Sequence, residues 1–158
     1  MKDFIDFKIV GAGKRTDETY TGELIGTVNV TKLRALAETN NFEPYQFEIT
    51  DNVKEGVRKI ITNQAHIDAM PMERLLVPLI FVAKPGGTHI LVDGAHRLKK
   101  AMALGLPCLW TYMIPEWAAE RFRIRVYGLT RAGVWHELSG LEVLEFDKDY
   151  QRQQQRAA

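Results

Sequence analysis

Residues 92–97 read VDGAHR, an order of residue types that could do chemistry. The apolar run THIL precedes them and LKKAMALG follows, so a strand-like pattern turns helical at this point. A strand ending at Val92, a glycine at 94 and a helix starting near Ala95 would gather unpaired amide N–H groups at the positive end of a helix dipole. Such a corner suits an anion. Arg97 could fork onto two phosphate oxygens, His96 could donate one hydrogen bond, and Gly94 would permit a close approach. Asp93 would repel a bare phosphate, which points to a divalent cation such as Mg²⁺ or to a hydroxyl that needs a base. The same residues also suit a plain turn, with Asp93 capping the helix, His96 partly buried and Arg97 paired at the surface. Local physics leaves both readings open.

Several elements must hold that corner in place. Phe4 to Val10 and Tyr20 to Val30 are rich in β-branched and aromatic residues and read as two strands around the polar loop GAGKRTDE. TKLRALAETNN sets Leu33, Leu36 and Ala37 on one helical face, with Thr31 as cap and Asn40 and Asn41 as stop. YQFEI reads as a short strand, and Thr50 or Asp51 caps a helix with the stripe Val53, Val57, Ile60 and Ile61. Pro71 breaks the chain in DAMPMER. LLVPLIFVA and THILV are apolar runs joined by KPGG, the best hairpin signal in the chain. Ala95 to Leu104 reads as a helix that turns Leu98, Ala101 and Met102 inward and stops at Gly105. CLWTYMI follows as a strand, Pro115 opens a brief helix through PEWAAE, and RFRIRVYGL and VWHELSGLEVLEF read as strand-rich. QRQQQRAA, residues 151–158, has nothing to bury and is expected to be a mobile tail.

The chain has 158 residues, 46% hydrophobic and 26% charged, which suits a single domain over residues 1–150 with its core at about 50–115 and a β-rich N-terminal extension. A net charge of +1 gives no global field for nucleic acid, so any polyanion contact must be local. The lone Cys108 cannot form an internal disulfide, and no Cys/His pairs have zinc-site spacing, so a reducing, cytoplasmic setting is expected. The start MKDFIDFKIV carries charges through what would be a signal core, and the uncharged stretch Ala101–Pro115 is interrupted and too short to span a bilayer. No membrane partner is expected.

The segment HILVDGAHRLKKAMALGLPCLWTYMI resembles the core of the ParB/sulfiredoxin-like superfamily, in which a strand runs into a G-x-[RH]-R-x-x-A helix, then a glycine and another strand. VPLIFVA matches the strand before that motif, and the resemblance covers Ile67 to Ile114. It implies an α/β (α+β) fold, a small mixed β-sheet with packed helices. It also implies that Gly94, Ala95, His96 and Arg97 hold nucleotide phosphates. Members differ in chemistry: ParB is a CTP-dependent DNA clamp, sulfiredoxin uses ATP to repair peroxiredoxin, free serine kinases phosphorylate serine, and some relatives are described as nucleases. Ala95 stands where sulfiredoxin needs a cysteine, and the strand-rich stretch after Ile114 lacks the helix-turn-helix of ParB. DGAHR is closest to the Asp-Gly-His-His-Arg motif of the free serine kinases, with Ala95 as the departure. By that likeness Asp93 serves the metal and the reacting hydroxyl, His96 joins it in catalysis, and Glu73 is the candidate upstream carboxylate.

The expected function is therefore nucleoside triphosphate binding, of ATP or CTP with Mg²⁺, and hydrolysis or phosphoryl transfer as an NTPase or small-molecule kinase. The alternative is a DNA-associated module of plasmid or phage origin, nuclease or non-catalytic. For that alternative, RFRIRV would place Arg121, Arg123 and Arg125 on one face of an extended strand as a nucleic-acid contact, although charged protection of an edge strand explains them better. VGAGKRT fails both nucleotide-loop templates and reads as a basic loop. His66 and Asp68 make two metal ligands without a third, and Trp110, Trp117 and Trp135 read as core or interface residues.

Overall fold

The computed structural model describes residues 3–146, and the expected tail at 151–158 lies outside them. In chain order the elements begin with β1 (Phe4–Val10), β2 (Thr19–Gly22), β3 (Gly26–Asn29), α1 (Val30–Thr39), β4 (Tyr45–Glu48), α2 (Asp51–Arg58) and α3 (Gln64–Ala69). A 3₁₀ turn at Met72–Leu76 leads to β5 (Leu79–Ala83), β6 (His89–Asp93), α4 (Ala95–Ala103) and β7 (Cys108–Pro115). After these come α5 (Glu116–Ala119), a 3₁₀ turn at Glu120–Phe122, β8 (Arg123–Thr130) and β9 (Trp135–Glu137), then a helical stretch at 140–146. The result is an α+β protein with one antiparallel and one mixed sheet. The chain forms two compact units, one from the described residues up to Leu33 and from Ala119 onward, the other from Arg34–Ala118.

The first unit holds the antiparallel sheet, in the order β1-β8-β3-β2 with β9 on the same side of β8 as β3. The stretch expected as one strand from Tyr20 to Val30 is a hairpin, because Gly22 and Gly26 face each other across a tight reversal at Glu23–Ile25. Helix α1 is capped by Asn29, whose Oδ1 accepts from the Lys32 amide at 2.9 Å, and not by Thr31, whose hydroxyl accepts from the Glu18 amide at 2.7 Å. The side-chain amide of Asn29 in turn donates to Asp17 at 2.8 Å, and Asp17 accepts from the Lys14 amide at 3.0 Å. A Cβ on Gly13 would collide with both Asp17 and Asn29, so the GAGKRTDE loop is a clasp on the start of α1.

VWHELSGLEVLEF is half helix, which corrects the strand-rich expectation. Ser139 Oγ accepts from the Glu142 amide at 3.2 Å and Glu142 Oε1 accepts from the Ser139 amide at 3.1 Å, the reciprocal pair that opens a helix. Glu142 also meets His136 Nε2 at 3.2 Å.

The second unit holds the mixed sheet, β4-β7-β5-β6, in which β5 and β7 run parallel and the other pairs antiparallel. Its core gathers Ile49, Val57, Leu79, Phe81, Leu98 and Leu109 with their neighbours. Thr50 caps α2 by accepting from the Val53 amide. That helix stops at Arg58, so only Val53 and Val57 of the expected stripe pack inward, and Ile61 is 97% exposed. Leu75 and Leu76 belong to the 3₁₀ turn, because Pro78 has no amide to add to a ladder and the strand starts after it. The KPGG hairpin closes with the Lys84 amide on the Thr88 carbonyl at 2.8 Å. Among the described residues no helix is long and apolar enough to cross a membrane.

Ser139→Ala should lower unfolding stability by about 1 kcal/mol, and Glu142→Ala by a similar amount, in urea melts. Because the two bonds form one reciprocal pair, the double variant should lose less than the sum of the singles.

Candidate functional site

Strand β6 reaches Asp93 with one extra residue: Phe81 pairs with Leu91 but Ile80 pairs with Asp93, so Val92 bulges and re-aims the end of the strand. Gly94 follows at φ 109°, in the left-handed region, and is the N-cap of α4. A Cβ there would collide with Leu79 and sit 2.9 Å from Arg97 Nη2, so only glycine lets the helix turn this closely over β5. The first intrahelical bond is from the Leu98 amide to the Gly94 carbonyl at 2.9 Å, and the Gly94 cap has no side chain to accept from the amides before it. The Ala95, His96 and Arg97 amides therefore precede the helical ladder.

Arg97 folds back along this end of the helix. It is 4% exposed, and its Nη2 donates to Asp93 Oδ2 at 3.3 Å. The same carboxylate oxygen accepts from Arg34 Nη2, on α1, at 2.7 Å, and that nitrogen also donates to the Pro78 carbonyl at 2.8 Å. Burial lowers the pKa of Arg97; Asp93 acts the other way, and the positive charges of Arg34 and Arg74 lower it further. Two guanidinium groups, those of Arg34 and Arg97, thus share one carboxylate oxygen. Nη1 of Arg34 is buried with no hydrogen-bond partner among the described residues, a deficit that costs about 1–3 kcal/mol.

His96 points along a different line. Its Nε2 accepts from the Asn63 amide at 3.2 Å, which places the ring proton on Nδ1, and its ring lies 4.6 Å from that of His66. Partial burial first, then His66 and Lys99, hold its pKa below the ordinary imidazole value, in keeping with a neutral ring. Lys99 donates to the Ile60 carbonyl and to Thr62, fastening the loop after α2 to α4. No local pattern marks these contacts, since they join residues thirty or more positions apart.

The remaining candidates fall elsewhere. Glu73 is exposed on the 3₁₀ turn, and no described hydrogen bond or ion pair ties it to Asp93. His66 meets His96, whereas Asp68 accepts from Gln64 at 2.9 Å, and among the described residues no three His, Cys, Asp or Glu side chains gather for a metal. Arg121 lies in the 3₁₀ turn and not on a strand, so the expected three-arginine face does not form. Arg123 and Arg125 do share β8, but Glu120 and Glu137 pair with both at 3.2–3.5 Å. Trp110, Trp117 and Trp135 are 39%, 66% and 38% exposed and do not belong to the core of this chain. Arg34 and Arg74 are the residues that sequence reasoning missed. Arg34 is a half-buried residue of α1 next to the buried Leu33, and nothing in its neighbours along the chain marks the acid it meets. Comparisons with models of protein families, with curated proteins and with solved structures found no match.

Asp93→Asn should cost about 2–3 kcal/mol in a denaturant melt, somewhat below the roughly 3–5 typical of a fully buried pair, because a quarter of the Asp93 side chain is exposed. Glu120→Gln, in a partly exposed network, should cost less than about 1 kcal/mol. His96 adds a pH dependence. Its folded pKa lies below the ordinary value of 6.5, so the fold resists protonation there. Stability should be full above that value, fall as pH drops through it, and level off below the folded pKa. His96→Gln should flatten that part of the profile in thermal melts across mildly acidic pH.

Proposed function

We propose that the chain binds a nucleoside triphosphate, ATP or CTP, at the Gly94 corner. The observation that carries this reading is the excess of positive charge there: Arg34 and Arg97 share the single carboxylate of Asp93 at the amide-rich start of α4, and the positive charge of Arg74 also acts on Arg97. An anion is the ligand that such a corner favours, and a polyphosphate answers both the amides and the guanidinium groups. The succession β5, hairpin, β6, glycine, α4, then β7 parallel to β5 supports likeness to the ParB/sulfiredoxin-like superfamily, which handles nucleotides at this position.

In this reading the roles divide differently from the motif alone. Arg97, buried and held by Asp93, fixes the shape of the corner, while the amides of Ala95 to Arg97 with Arg34 and the exposed Arg74 meet the phosphates. His96 braces α4 against the loop at Asn63. Mg²⁺ fits as an ion carried by the phosphates with Asp93 as its one protein carboxylate, a donor set that this ion accepts. It would supply charge neutralisation for hydrolysis or phosphoryl transfer. For Asp93 to serve it, the carboxylate must loosen its hold on Arg34 or Arg97, and the unsatisfied Nη1 of Arg34 gives that rearrangement a driving force. The DNA-associated alternative has weaker support, since the charges of Arg123 and Arg125 are already balanced by Glu120 and Glu137.

Titrating ATP and CTP, each with and without Mg²⁺, should raise the stability of the protein by about 2.7 kcal/mol at a concentration about 100 times the Kd. Arg74→Glu is the informative variant, because Arg74 is exposed and makes no ion pair among the described residues, so its folding should be unchanged. It should weaken nucleotide binding on the order of tenfold, the effect of losing one charge-assisted contact. Phosphate release that needs Mg²⁺ would add catalysis to binding. Absence of any nucleotide stabilisation, or binding indifferent to Arg74→Glu, would overturn the proposal.

A further inference from the structure

Strand β1 borders the first unit's sheet: β8 pairs along one of its edges, and no described strand pairs along the other. Every residue of it after Phe4 is exposed, with Ile5 at 59% and Ile9 at 61%. A long apolar edge of this kind is a template for a further strand. What distinguishes this one is its sequence, FIDFKIV, which is nearly symmetric about Phe7. Antiparallel pairing of two copies with a two-fold axis at Phe7 sets Asp6 of each chain opposite Lys8 of the other and Phe7 opposite Phe7, all within the regular stretch that follows the irregularity at Ile5. Side chains directly opposite in such a pair interact, attractively for opposite charges.

The structure supplies charges that suit this arrangement. Asp6 and Lys8 pair with Leu129 and Tyr127, so they stand on the same face of the sheet, where cross-strand neighbours can meet. Neither has an oppositely charged partner among the described residues: Asp6 accepts only from the Phe7 amide at 2.8 Å, and the Lys8 ammonium lies 4.4 Å from the ring of Trp135 and 5.3 Å from that of Tyr127. Two-fold pairing centred on Asp6 or on Lys8 instead would juxtapose like charges, so the electrostatics select the register at Phe7. On the opposite face, Phe7 already packs against Phe146 in a tilted pair with ring centroids 4.7 Å apart, and a second Phe7 would extend that aromatic surface. We propose that β1 is a homodimer edge, joining two copies of this chain into one continuous antiparallel sheet through the self-complementary run Asp6–Lys8.

Sedimentation equilibrium over a concentration series tests this. Wild type should form a dimer. Asp6→Lys, which sets lysine opposite lysine twice, should weaken it on the order of tenfold or more. Lys8→Asp should do the same, and the double exchange Asp6→Lys with Lys8→Asp should restore it. Circular dichroism checks that each variant is folded. Should the exchange variant fail to fold, Phe7→Cys in a Cys108→Ser background gives an independent reading. Oxidation should link Phe7→Cys to itself across the axis, and should not link Val10→Cys, which lies away from it. A wild type that stays monomeric, a dimer insensitive to the single charge changes, a folded exchange variant that stays monomeric, or equal cross-linking at both positions would overturn the proposal.

Discussion

One carboxylate organises the second unit's key corner. Asp93 Oδ2 accepts from Arg34 at 2.7 Å and from Arg97 at 3.3 Å, and Gly94, with no side chain, lets β6 turn into α4 directly beside that pair. Arg97 could not stay 4% exposed without its counter-charge, because an unpaired buried guanidinium loses its hydration with no compensation. The bulge at Val92 and the left-handed backbone at Gly94 bring the carboxylate of Asp93 and the guanidinium of Arg97 together, and α1 adds Arg34.

Charge accounting separates the two arginine-rich regions of the chain. Around Asp93 two guanidinium groups share one carboxylate. At β8 the balance is even: Glu120 and Glu137 each pair with Arg123 and Arg125, and the network stabilises the strand locally. Arginines clustered in the sequence are therefore balanced in the fold, whereas arginines far apart in the sequence meet at a single acid. The difference comes from which acids the fold brings near, and these lie between three and fourteen positions away along β8's own stretch but fifty-nine away for Arg34 and Asp93.

Local signals carried much of the architecture. The KPGG hairpin, the Thr50 cap and the helix after Gly94 follow from turn residues, caps and apolar periodicity, each of which acts within a few positions. Where the fold departs from these local signals, the cause is also local. Ser139 and Glu142 are spaced as a reciprocal helix cap, but the apolar residues between and after them also suit a strand, and the cap signal was outweighed. Tyr20 to Val30 reads as one β-rich run unless Gly22 and Gly26 are taken as the two sides of a turn.

By itself, the sequence determined the α+β class and the strand-to-helix corner at VDGAHR, because chain stiffness, capping and alternation are properties of neighbouring residues, whereas the need for glycine at position 94 comes from its approach to Leu79. Only the tertiary structure decided the partners: that Asp93 holds Arg34 as well as Arg97, that His96 receives the Asn63 amide, and that Arg123 and Arg125 are neutralised. Such long-range pairings depend on the packing of whole elements against one another, and a charged residue on a helix or strand carries no local mark of the charge it will meet.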